Sequence, residues 1–205
     1  MSQQAEREFK NLLTASEYQR LQQAYSFTIP FKQTNLYFDT ATQELKRRGW
    51  GLRLRLFKDR AEQTLKIPAH GEHDLWEITD PLPLSVAQQV QIQQPSEVSQ
   101  YLQKYNIDRT QLQLIGYAQT ERQQAILSVG LLVLDRTSYA DTTFDHELEL
   151  EVQDTTSTPT TFRNLLSTQQ IEPRKITNKV ARAVAHFQNI SLENQYANLE
   201  QMLFN

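Results

Sequence analysis

A chain of 205 residues has room for one large hydrophobic core and falls short of what two independent domains usually need. With 39% hydrophobic and 22% charged residues and a net charge of −3, it reads as an ordinary globular protein, and its slight acidic excess argues against a nucleic-acid partner. The absence of cysteine excludes disulfides, thiolate metal centres and cysteine nucleophiles, so any metal ligand is an oxygen or an imidazole.

The N-terminal segment carries Glu6, Arg7, Glu8 and Lys10 around no apolar core, and the longest apolar run, 131–134, is far too short for a bilayer. No secretory signal and no membrane contact are expected, and a cytoplasmic location is. Residues 5–13 alternate, with Glu6, Glu8 and Lys10 on one side and Arg7, Phe9 and Asn11 on the other, which predicts a strand. Thr14 and Glu17 form a capping box that opens a helix over 15–24, with Tyr18, Leu21 and Tyr25 at helical spacing. Aromatic and β-branched residues across 27–39, interrupted by Pro30, predict a bent or edge strand. A short turn or helix over 42–48 is stopped by Gly49, and 51–58, 62–68 and 73–79 read as short strands of one meander.

Residues 81–106 change character. They are Gln-rich, with Val86, Val90, Val98, Leu102 and Tyr105 suited to helical packing and Pro95 placed to start the second of two helices. Three longer strands are predicted at 112–124, 125–139 and 143–153, and two helices at 159–169 and 178–189. The last residues, 191–205, place Leu192, Tyr196, Leu199 and Leu203 on one helical face, a tail suited to packing or to self-association as a homodimer. The whole is an α+β chain of about eight mostly antiparallel strands with helices outside.

Strand after strand carries charge on one face and apolar residues on the other. Arg53 and Arg55 oppose Leu52, Leu54 and Leu56; Lys66 lies beside Thr64; Thr120 pairs in parity with Arg122; Asp135 faces away from Leu134. Glu147, Glu149 and Glu151 put three carboxylates on one face, with Leu148, Leu150 and Val152 opposite. For one strand this describes a sheet with a wet face. Taken together, same-sign residues at i and i+2 repel unless counter-charges lie between them, and a closed barrel with a polar interior removes that conflict. Its acidic strands would hold a divalent cation and its basic strands a polyphosphate.

The ordered series Glu6-Arg7-Glu8-Phe9-Lys10, Tyr37-Phe38-Asp39-Thr40, Leu52-Arg53-Leu54-Arg55, Leu65-Lys66-Ile67-Pro68, Thr120-Glu121-Arg122, Leu134-Asp135 and Glu147-Leu148-Glu149-Leu150-Glu151 resembles the CYTH superfamily of triphosphate tunnel metalloenzymes, across 6–187. That group includes bacterial class IV adenylate cyclases and thiamine triphosphatases. The resemblance implies an eight-stranded antiparallel tunnel, placed at 1–190 ahead of the helical tail at 191–205, and binding of a small triphosphate with Mg²⁺ or Mn²⁺. Position by position it implies Glu6, Glu8, Asp135, Glu147 and Glu149 as metal ligands, and Lys10, Arg53, Arg55, Lys66, Arg122 and Lys179 as phosphate ligands. Lys10, Lys66, Asp135 and Lys179 are the groups it places at the chemical step, and Glu151 and Glu77 are further candidates. Lys175, four residues before Lys179 on a possible helix face, is the alternative C-terminal cation. His70, His73, His146 and His186 are read as surface or packing residues.

Guanidinium forks and ammonium groups would offset phosphate charge while a carboxylate-held ion orients the chain. Three functions share that interior: metal-dependent triphosphate hydrolysis, which is favoured because nothing obvious recognises a base, cyclic AMP formation, and noncatalytic binding of polyphosphate or a nucleotide.

Overall fold

The computed structural model describes residues 2–69, 74–152 and 157–204; the side chains of 2–6, 74, 192, 196 and 204 lie outside that description, as do His70 and His73. Eight strands form a closed barrel: β1 (Ser2–Leu13), β2 (Phe31–Thr40), β3 (Gly51–Leu56), β4 (Ala61–Pro68), β5 (Asp74–Leu82), β6 (Leu112–Leu127), β7 (Gly130–Tyr139) and β8 (Phe144–Val152). The order around the barrel is β1-β5-β4-β3-β2-β6-β7-β8, with β8 returning to β1 and every pair antiparallel. Among the described strands closure leaves no unpaired edge. β2 therefore lies between β3 and β6 and is no edge strand, while Pro30, which cannot donate to a ladder, stands just before its first residue.

The helices are α1 (Ala15–Ala24), α2 (Glu44–Arg47), α3 (Leu84–Ala87), α4 (Glu97–Lys104), α5 (Pro159–Thr168), α6 (Lys179–Gln188) and α7 (Leu192–Phe204). The Thr14 capping box is present, Thr14 Oγ1 accepting from Glu17 N and Glu17 returning to Thr14 N at 2.7 Å. Two boundaries differ from expectation. Pro95 does not begin α4; Ser96 caps it instead, its hydroxyl accepting from Ser99 N at 3.0 Å, and Val90 lies outside either helix with φ 57°. β6 runs through Ala125 and Ile126 to Leu127 before the turn at Ser128 and Val129, because the apolar residues on both sides of the hairpin hide the turn from a periodicity argument.

Alternation of side chains across each strand sorts the barrel into two environments. The outward leucines make two cores. Leu52, Leu54, Leu56 and Leu65 pack with Val98 and Leu102 of α4 and Leu199 of α7, so the C-terminal helix is packed on the barrel. Leu132, Leu134, Leu148 and Leu150 pack with Tyr18 and Leu21 of α1 and Phe162 and Leu166 of α5. Each fully buried leucine contributes about 1.5 to 3 kcal/mol, so the charged face is left to point inward. No helix among the described residues is long and apolar enough to cross a membrane.

Candidate functional site

The inward side chains line a tunnel cavity of 1290 Å³ that includes Lys10, Arg53, Arg55, Lys66, Arg122 and Lys179 together with Glu8 and Glu149. Cross-strand register explains the convergence. Arg122 lies opposite Asp135, Asp135 opposite Glu147, Lys10 opposite Glu149, and Glu8 opposite Glu151.

The wall built from β6, β7, β8 and β1 is a dense ion-pair network. Asp135, fully buried, accepts Arg122 Nε at 2.8 Å on Oδ1, and Arg122 Nη2 at 2.7 Å and Lys179 Nζ at 2.5 Å on Oδ2. Glu149 accepts Arg122 Nη2 at 2.9 Å and Lys179 at 3.3 Å. Lys10 Nζ stands 2.7 Å from Glu8 and 3.9 Å from Glu149, and Arg122 Nη1 reaches Glu151 at 3.4 Å. Burial alone would push Asp135 and Glu149 up; Arg122 and Lys179 more than offset it, and both carboxyls sit below the usual range. Glu8 is likewise raised by burial and lowered by Lys66 and Lys10, with a net fall. Glu147 goes the other way. Burial and the neighbouring Glu149 outweigh Lys179 and lift it to about 7.

The wall of β2, β3, β4 and β5 is the basic one. Arg55 Nε donates to Asn35 Oδ1 at 2.9 Å and Nη1 to Glu62 at 3.4 Å; Arg53 Nη2 donates to Glu77 at 3.1 Å, and Arg53 Nε is buried with no hydrogen-bond partner. Burial, then Arg53 and Arg122, push the Arg55 guanidinium down to about 10, still charged at neutral pH. A guanidinium pushed down by neighbouring cations marks a place where an anion is favoured.

The structure thus brings together the predicted Glu8, Lys10, Arg53, Arg55, Lys66, Arg122, Asp135, Glu147, Glu149 and Lys179. Glu77 and Glu151 join them, whereas the side chain of Glu6 lies outside the described residues. Of the two C-terminal cations, Lys179 enters the network. Lys175 is exposed in the segment before α6, not on its face.

Sequence reading missed Glu62 and Asn35, whose meeting with Arg55 depends on register, and Arg182, whose three-residue spacing from Lys179 was the available signal. Among the histidines, His146 lies tilted against Tyr18 with ring centroids 4.3 Å apart, and His186 stacks on Tyr139 at 4.3 Å.

Lys179 is delivered by the way α6 meets the barrel. Asn178 caps the helix, accepting from Ala181 N at 2.8 Å, and Val180 and Ala183 pack on Tyr37, Ala118 and Tyr139. A basic residue in a first helical turn opposes the macrodipole, a penalty of about 0.3 to 1 kcal/mol that the buried carboxylates offset. The approach requires Gly116, where a Cβ would come within 3.1 Å of the Ala183 carbonyl and the Val184 amide. Gly116→Val is therefore expected to push α6 off β6, costing about 1 to 3 kcal/mol as an overpacked contact. The thermal midpoint of the variant should fall, and an unchanged midpoint would show that α6 is held independently of this contact.

Comparisons with known proteins agree on one relationship. A family model described as the CYTH domain matches residues 4–184. "Putative triphosphatase YjbK" of Bacillus subtilis (strain 168) is 33% identical over 189 residues, covering 89% of this chain and 95% of that protein. The solved structure of a "putative adenylate cyclase" from Bacillus halodurans is 30% identical, with a TM-score of 0.79 over 89% of this chain and 98% of that chain. A Hippeastrum protein, described as a "putative adenylyl cyclase" with a dominant triphosphatase activity, is 22% identical with a TM-score of 0.68 over 90% of this chain and 96% of that one, a likeness of fold.

Proposed function

The chain belongs to the CYTH domain family, and from that membership we propose that it hydrolyses a small triphosphate, inorganic tripolyphosphate or an organic triphosphate, with Mg²⁺ or Mn²⁺ inside the barrel. The observation that carries this reading is the convergence of Lys10, Arg53, Arg55, Lys66, Arg122 and Lys179 on one tunnel, with Arg53 and Arg55 held by Glu77 and Glu62 on one side and Arg122 and Lys179 by Asp135 and Glu149 on the other. A small polyanion is the ligand that can exchange partners with carboxylates on both walls. Similarity to a protein named as a triphosphatase supports the reaction class.

The donor set fits the ion. Among the described residues the tunnel lining holds carboxylates and no sulfur or imidazole, which suits Mg²⁺ or Mn²⁺. Among the described residues no three acidic or imidazole groups stand together as a ready cage. Buried Glu147 Oε1, which has no hydrogen-bond partner, Glu149 and Glu8 are the groups that would hold it, with Glu6 as the remaining family position. When bound, the ion supplies charge neutralisation and orientation of the phosphoryl group.

This chain's residues do the rest. Arg53 and Arg55 present forks to nonbridging oxygens, and Lys66 and Lys10 add ammonium charge along the chain. Arg122 and Lys179 are poised to follow phosphate charge from the acidic wall. Asp135, with both oxygens committed to Arg122 and Lys179, acts as their anchor more readily than as a metal ligand.

The test is a metal-by-substrate matrix that measures phosphate, pyrophosphate and cyclic AMP from tripolyphosphate, ATP and thiamine triphosphate with Mg²⁺ or Mn²⁺. Phosphate release is the expected outcome; cyclic AMP from ATP would move the chain to the cyclase reading, and tight binding without turnover to the noncatalytic one. Arg55→Lys should lower kcat/KM for the accepted substrate about ten- to hundredfold, the loss of a charge-assisted hydrogen bond of about 1.5 to 3 kcal/mol, because Lys keeps the charge and loses the fork. Parent-like kinetics in Arg53→Lys and Arg55→Lys together would remove the basic wall from the site.

A further inference from the structure

One turn along α6 from Lys179, Arg182 enters the same tunnel wall and touches none of the groups assigned to phosphate. Its Nη2 donates to Glu147 Oε2, joining a guanidinium 11% exposed to a carboxylate 1% exposed. Three further groups hold it. Nη1 donates to the Thr177 carbonyl at 2.6 Å, and Nε donates to the Tyr139 hydroxyl at 2.8 Å and lies 3.0 Å from Asp145 Oδ2. The Tyr139 hydroxyl in turn donates to Asp145 at 2.6 Å, and its ring is stacked against His186, which Asp141 holds at 2.7 Å.

The consequence falls on the other oxygen of Glu147. With Oε2 fixed, Oε1 is buried without a hydrogen-bond donor, its cationic neighbour Lys179 Nζ standing 3.7 Å away. A buried carboxylate oxygen left without a donor is costly unless a cation completes it. Resting on the metal-dependent reading above, we propose that Arg182 is a positioning residue: it pins one oxygen of Glu147 so that the other, beside Lys179 yet without a hydrogen bond, stays available to a divalent cation. Tyr139 and Asp145 are the clamp that keeps Arg182 in place. Arg182 thereby tunes cation affinity without touching substrate, the part played by outer partners of metal-binding carboxylates.

The experiment measures Mn²⁺ binding to the full chain by calorimetry without substrate, and separately the Mg²⁺ concentration giving half-maximal hydrolysis, for the parent, Arg182→Lys, Arg182→Met and Tyr139→Phe. Arg182→Met should weaken Mn²⁺ affinity about 10- to 100-fold, with a parallel rise in the half-maximal Mg²⁺ concentration and recovery of most of kcat at saturating Mg²⁺. Arg182→Lys should rescue part of the affinity and Tyr139→Phe should lose less of it. If Arg182→Met does not fold, the other two variants carry the same comparison. Folded variants with parental Mn²⁺ affinity, in a parent that does hydrolyse triphosphate, overturn the role of Arg182 and leave the functional reading standing. A parent that binds no Mn²⁺ and turns over without Mg²⁺ overturns the metal reading and this role with it.

Discussion

Hydrolysis is expected to stop in excess EDTA and to return when Mg²⁺ or Mn²⁺ is restored. The expectation follows from how the tunnel charges are committed. Lys10 is paired with Glu8, Arg122 and Lys179 with Asp135 and Glu149, Arg53 with Glu77 and Arg55 with Glu62, so the cations that face the cavity already have carboxylate neighbours. A bare triphosphate entering this wall meets acid side chains at contact range, and its attraction to the basic wall is opposed by them. Chelation should therefore weaken binding as well as turnover, and calorimetry of tripolyphosphate with EDTA should show a large loss of affinity beside the kinetic loss. Undiminished hydrolysis in excess chelator would mean that Arg53, Arg55 and Lys66 suffice, and would remove Glu8, Glu147 and Glu149 from metal binding.

The parts of this arrangement that were legible in the sequence were those that depend on parity alone. Arg53 and Arg55 alternate with leucines that the helices bury, so their inward direction follows from the chain itself, and the same holds for Glu147, Glu149 and Glu151. The Thr14 capping box was legible because both of its bonds are local. What depended on register was not. Glu62 meets Arg55 because Arg55 lies opposite it across the β3–β4 pair, and Glu77 meets Arg53 across two strands, relations that no single strand encodes.

Arg182 was hidden for another reason. The apolar residues of α6, Val180, Ala183 and Val184, dominate its pattern, and a basic residue among them reads as a solvated face until the helix is seen to enter the barrel mouth. The β6–β7 turn was obscured because Ala125 to Leu134 is nearly all apolar, and alternation cannot mark a hairpin in such a run.

Asp135→Asn is the substitution expected to cost most in stability. The carboxylate is fully buried, and both of its oxygens accept, one from Arg122 and the other from Arg122 and Lys179. Asn keeps the shape, loses the charge, and turns an amide donor toward a guanidinium or an ammonium donor. Breaking a buried ion pair from one side costs about 3 to 5 kcal/mol, which at about 2 to 4 °C per kcal/mol for a domain of this size lowers Tm by about 6 to 20 °C. The pH dependence has a definite sign. Arg122 and Lys179 overcome burial to hold the Asp135 carboxyl below its ordinary value, so its contribution is complete above the unfolded-state pKa of about 3.9 and is lost as pH falls through the folded-state value. The gap in Tm between parent and variant should be full at pH 7 and close in acid.

Tripolyphosphate should narrow the same gap at pH 7, because a phosphate group can take over Arg122 and Lys179 once Asp135 no longer neutralises them. A ligand that binds only the folded state stabilises more where it finds unpaired partners, so the ligand-induced rise in Tm should be larger in Asp135→Asn than in the parent. A variant as stable as the parent at pH 7 would show that Glu147 and Glu149 alone hold the two cations. An equal rise in both proteins would place the phosphates beyond the reach of Arg122 and Lys179, and the acidic wall would then be structural while Arg53, Arg55 and Lys66 carry the recognition.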